Sequence, residues 1–133
     1  LILIFTEKRS FRLTVDEAPQ GFKNLLSELN FICPMRYNYI DKKGLDTVKS
    51  HAEDFIKKRL APAVIPNDGK QTPMRGHPVF KAQHACACCC RGCLNKWYHV
   101  EKGRELTYDE QRRIVNLLMA WIEREYRSYK NNT

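Results

Sequence analysis

The chain has 133 residues, 43% of them hydrophobic and 29% charged, a globular composition of one-domain size. Lys and Arg outnumber Asp and Glu by 23 to 15, so the net charge is +8, which favours anionic partners such as nucleic acid or a phosphorylated ligand. The longest purely apolar run, Leu1 to Phe5, is far short of the roughly 20 residues a membrane-spanning helix needs and too short for a secretory leader. The expected setting is therefore the reducing cytoplasm, where clustered cysteines bind metals or do thiol chemistry more often than they form disulfides.

Residues 1–15 carry two short strand patterns, Leu1 to Phe5 and the alternating Phe11, Leu13 and Val15, which suit a β-hairpin turning through Thr6 to Ser10. Phe22, Leu25, Leu26 and Leu29 fall on one face of a short helix. Cys33 is read as structural, and residues 30–44 as loop plus one helical turn, because Pro34 disfavours helix at the residue before it.

A clear helix is predicted over residues 46–60. Asp46 stands where an N-cap would, Val48, Ala52, Phe55, Ile56 and Leu60 make its apolar stripe, and Pro62 stops it. His51 sits beside that stripe as a boundary residue. Residues 61–78 hold four prolines and two glycines and read as a long loop. Loops of that length in a compact domain tend to be functional, and this one is expected to wall a site. The strongest helix prediction covers residues 107–128. It opens on a capping box, Thr107 with Glu110, and carries Ile114, Val115, Leu117, Leu118, Trp121 and Ile122.

Between these helices lies the chemistry. Five of the six cysteines fall within eight residues: Cys86, Cys88, Cys89, Cys90 and Cys93. Cys90-Arg91-Gly92-Cys93 is a CxxC, a spacing that lets two thiolates reach one ion about 2.3 Å away. Further ligands are available in His84, His77, Cys86 and Cys89, with His84 favoured and His77 or Cys89 as the fourth. A second account treats the same thiols as a redox or nucleophilic centre, with Cys90 or Cys89 attacking and His84 or His77 as base. A third is packing: on a helix near residues 88–98, extended back to Cys86, the side chains of Cys86, Cys90, Cys93, Leu94 and Trp97 share a face, and cysteine behaves there as a small apolar residue. On a helix, neighbours diverge by about 100°, so Cys88, Cys89 and Cys90 would not serve one centre together. Basic residues in and beside the segment, Lys70, Arg75, Arg91 and Lys96 foremost, are candidates for anion binding, with Trp97 and Tyr98 interleaved.

The runs GKQTPMRGHPVF, AQHA and CCRGCL, and the preceding GLDTVKSHAEDFIKKRLAPA, closely resemble DUF4186, an uncharacterised bacterial family of unknown function. The resemblance covers about Tyr39 to Glu125. It implies a Cys/His-rich domain over residues 31–133, preceded by a separate segment over residues 1–30. The family pattern takes in His77, Gln83, His84, Cys89, Cys90, Arg91, Gly92, Cys93, Lys96 and Trp97, whereas Cys86 and Cys88 stand where it has small hydroxyl residues. Tyr98 replaces its histidine after the tryptophan and is followed by His99.

The combined expectation is a mainly α, small single-domain helical bundle with a long Pro/Gly-rich loop, an N-terminal hairpin being its one β element. Its expected role is a zinc-binding module with Cys90, Cys93, His84, His77 and Cys89 as candidate ligands and a basic face for nucleic acid or another anion. Thiol chemistry at Cys90-x-x-Cys93 is the alternative.

Overall fold

A computed structural model of the protein describes residues 36–131. The expected hairpin, the short helix over residues 22–29 and Cys33 lie outside the described residues. Within them the fold is mainly helical: five α-helices and no strand.

Helix α1 spans Tyr37–Lys43 and α2 spans Leu45–Phe55. Gly44 joins them at φ +87°, a backbone angle open to glycine and costly for other residues. Its N–H bonds to the Ile40 carbonyl at 2.8 Å, closing α1, and Gly44 itself occupies the N-cap position of α2. Asp46 is therefore inside the first turn, where its charge suits the helix dipole, and makes no cap bond. The predicted N-cap was two residues too late.

Val48, Ala52, Ile56 and Leu60 are all fully buried at a strict spacing of four. In an α-helix each such step overshoots a full turn by about 40°, so the stripe would wind off the core. The chain answers by widening into a π-helical turn over Ile56–Leu60, continuous with α2, in which Ala61 N–H reaches back to the Ile56 carbonyl at 2.8 Å.

Directly after the predicted loop lies a helix without an amphipathic signal in the sequence. Helix α3 spans Pro78–Ala85, with Pro78 in its first turn and His77 as N-cap. It is buried almost all round, Lys81 and Gln83 included, so it carries no amphipathic signature. Helix α4 spans Arg91–Tyr98, starting later than the predicted residue 88. Helix α5, Tyr108–Asn131, is the long support against which α2 and α3 pack, through Ile114, Val115, Leu117, Leu118, Trp121 and Ile122. Its capping box forms as predicted: Glu110 N–H donates to the Thr107 hydroxyl at 3.1 Å, and Thr107 N–H to the Glu110 carboxylate at 2.9 Å. Arg104 grips the same carboxylate with two bonds of 2.8 Å.

Candidate metal centre

The cysteine segment is not one continuous helix. Cys86 terminates α3, its N–H on the Ala82 carbonyl at 2.8 Å. Ala87 then takes the left-handed conformation, φ +64°, while fully buried. That conformation costs an L-residue about 1 kcal/mol and here turns the chain out of the helix. The turn is held from three sides. Gln83 exchanges two hydrogen bonds with the Cys88 backbone, accepting from its N–H at 2.8 Å through the Gln83 carbonyl and donating its side-chain amide to the Cys88 carbonyl at 3.0 Å. Tyr98 donates its hydroxyl to the Cys86 carbonyl at 2.6 Å. Thr72, from the long loop, donates to the Cys89 carbonyl at 2.8 Å.

The consequence is a division of the thiols. Cys86 and Cys88 enter the core, fully buried, and burial pushes both thiols upward in pKa. Cys90 is extended (φ −158°, ψ 167°) and caps α4, its sulfur accepting from Cys93 N–H at 3.3 Å. Because residues 88–90 are not helical, the 100° divergence expected between neighbours does not apply, and Cys89 joins Cys90 and Cys93. The Cys89 thiol lies 3.5 Å from the Cys93 sulfur, and the sulfurs of Cys89, Cys90 and Cys93 all lie within 4.8 Å of one another. Cys89 and Cys93 are half-buried and Cys90 is buried, so the cluster opens toward solvent along one side.

The electrostatics single out Cys93. Hydrogen bonds from Cys89 and then Cys90, with the Lys96 charge adding, bring its pKa down to about 6 against the opposing effects of burial and Asp68. Cys89 is pushed up, chiefly by donating to Cys93, and Cys90 is pushed up by burial. Asp68, in the Asn67-Asp68-Gly69 turn of the long loop, accepts from Arg91 N–H at 3.0 Å and from the Gln71 amide at 3.1 Å. It thereby fastens the loop to the start of α4. Its carboxyl is held below the ordinary range, the hydrogen bonds from Gln71 and Arg91 outweighing the upward push of burial, and Lys102 pairs with it at 3.7 Å.

The other expected site residues are placed elsewhere. His84 Nε2 faces the carbonyls of Thr72 and Pro73 at 3.1 and 3.2 Å, a donor's position. It supports the loop that holds Cys89 and stands outside the three-sulfur group. His77 is at the opposite end of α3. Its Nδ1 accepts from Val79 N–H at 3.0 Å, so the proton of the neutral ring belongs on Nε2, which meets His51 Nδ1 at 2.9 Å. A protonated nitrogen has no lone pair for a metal. The Tyr39 hydroxyl reaches the same His51 nitrogen at 3.1 Å, and Phe55 and Phe80 pack against the His77 ring. Burial, with the His51 charge second, lowers the His77 pKa to about 4. His51 was read as a lone boundary histidine; its partner lies 26 residues away, beyond any local spacing signal.

Of the basic candidates, Lys70, Arg75 and Lys96 are exposed, and the Lys96 ammonium sits 5.1 Å from the centre of the Trp97 ring. Arg91 is turned inward, 3% exposed. Its guanidinium donates to the carbonyls of Leu60, Ala61, Pro62 and Glu101, the last at 2.6 Å. It is a clamp between chain segments and presents no charge to an outside anion.

The domain of unknown function DUF4186 matches residues 24–123, three-quarters of the chain. The chain belongs to this family. The matched DUF4186 span contains helices α1 to α4, all five clustered cysteines and the buried part of α5. No solved structure matches the chain.

Proposed function

We propose that this DUF4186 domain is a metal-binding module in which the thiolates of Cys89, Cys90 and Cys93 hold a zinc ion. The supporting observation is the convergence of three sulfurs within 4.8 Å. Zinc–sulfur bonds of about 2.3 Å in a tetrahedron require sulfurs about 3.8 Å apart, so the 3.5 Å between Cys89 and Cys93 needs only a small adjustment. Three protein ligands leave a fourth position for solvent or a ligand atom on the open side. Metal binding would also supply the charge that keeps all three thiols deprotonated together. A reducing cytoplasm, and a basic surface that engages an anion such as nucleic acid, complete the reading; the net charge of +8 supports the second.

A thiol–disulfide role is the second reading, favoured by the half-open Cys89–Cys93 pair at 3.5 Å. The Cys93 thiolate would attack a disulfide of a partner molecule and release one partner thiolate. Cys89, giving up its proton, would then attack the Cys93 sulfur and release the second partner thiol, leaving a Cys89–Cys93 disulfide. Elemental analysis of protein purified without chelator separates the two. One equivalent of zinc per chain, lost in Cys89→Ser, Cys90→Ser and Cys93→Ser variants, is the expected result. Metal-free protein with one fast-alkylating thiol, Cys93, and a rate midpoint near pH 6 supports the redox role. Metal-free protein with uniformly slow alkylation overturns both.

A further inference from the structure

Helix α2 with its π turn and the first half of α5 do not meet flush along their outer edge. They leave a groove of about 570 Å³ on a different part of the surface from the thiols, lined by neither the cysteine loop nor α4. From α2 it receives Lys49 and from the π turn Lys57, eight residues apart and hence about 12 Å along the axis. Both side chains are exposed, and neither forms an ion pair among the described residues, although Glu53 lies between them at helical spacing. From α5 it receives Arg112, whose guanidinium is shared with Asp109 at 2.7 Å, and the amides of Gln111 and Asn116. At its mouth stands Tyr108, 79% exposed, the most exposed aromatic ring among the described residues.

An exposed aromatic ring is costly to keep in water, and two uncommitted ammonium groups beside it create a positive potential over one flat apolar face. The ligand chemistry that meets all of these at once is a chain of phosphates bearing planar bases. Phosphates suit the lysines, a π face suits tyrosine, and base edges offer donors and acceptors to the amides. We infer that the α2–α5 groove binds single-stranded nucleic acid, with Lys49 and Lys57 on the phosphates and Tyr108 stacked on a base. This assigns the anionic partner of the preceding section to a specific surface, and it stands or falls separately from the zinc site.

The test is a fluorescence-anisotropy titration of the full chain with a labelled short oligodeoxythymidylate, from low to high salt. Binding is expected at low salt and to weaken with a linear dependence of log affinity on log salt. Lys49→Glu with Lys57→Glu should lower the affinity at least tenfold and reduce the slope by about 1.4, two single-strand phosphate contacts at about 0.7 each. Tyr108→Ala should weaken binding roughly fivefold or more with the slope unchanged, the signature of a lost stack. Cys93→Ser, which removes zinc under the reading above, should leave the titration unaltered. No binding at low salt overturns the inference. So does an equal loss in a Lys70→Glu/Arg75→Glu variant, which would show charge attraction without a site. Equal affinity for polyglutamate, insensitive to Tyr108→Ala, would replace nucleic acid with an acidic protein surface and likewise overturn it.

Discussion

The two ends of helix α3 gather titratable groups by opposite means. At its start, His77 meets His51 and Tyr39, and both His77 ring nitrogens are engaged: a backbone N–H on one, the neighbouring imidazole facing the other. Past its end, Cys89, Cys90 and Cys93 crowd three sulfurs together with few hydrogen-bond donors among them, and one thiol drawn toward its anion. The histidine corner is closed by its own hydrogen bonds; the thiol corner is left with lone pairs to share. A histidine near a cysteine cluster is thus a poor guide to ligation until its proton has been located.

The largest test of that contrast is zinc itself. If the thiol corner alone takes the metal, zinc at a thousand times its dissociation constant should stabilise the fold by about 4 kcal/mol in a thermal melt. The gain should vanish in Cys93→Ser and persist in His77→Asn. A gain lost in His77→Asn would erase the distinction between the two ends.

Acid should act on the other corner. The folded-state pKa of His77 is near 4 against an ordinary 6.5, so the unfolded chain takes up this proton first. Its contribution is intact above pH 6.5, falls as the pH drops toward 4 and is spent below that, a loss on the order of 3 kcal/mol. In His77→Asn, where an amide oxygen can still cap Val79 N–H, that component of the denaturation-midpoint profile should be flat. An unchanged profile would place the titration elsewhere.

A smaller effect probes how the thiol corner is held. Thr72→Val removes the bond to the Cys89 carbonyl and should cost about 1 to 2 kcal/mol in chemical denaturation, with weaker zinc retention. Zinc retention equal to that of the wild-type chain would mean that Gln83 and Tyr98 suffice to position Cys89.

What the sequence disclosed follows from how local each feature is. The α5 capping box spans four residues and the α5 stripe repeats with the helical period, so both were legible. Helix α3 was not, because a helix buried on all sides loses the polar face that marks its period, and Val79-Phe80 alone resembles a strand. Cys90 and Cys93 were legible as a pair from their spacing. Cys89 ranks behind His84 as a ligand on spacing alone, because its approach to Cys93 depends on the left-handed Ala87, which no side chain announces. The His51–His77 pair and the inward turn of Arg91 rest on contacts 26 and about 30 residues apart, and nothing in their neighbours records them.

Arg91 sets a dependence between distant segments as well as a geometry. A guanidinium is desolvated at tolerable cost only when carbonyls are already waiting for it. Three of those carbonyls come from Leu60, Ala61 and Pro62, where the chain leaves the π turn, about 30 residues earlier. Closing a loop of that length carries an entropic cost, which the four carbonyl bonds offset. The start of α4, and with it the Cys90 and Cys93 side of the thiol corner, is therefore tethered to the exit of the π turn, so the site is only as well ordered as a clamp between segments about 30 residues apart.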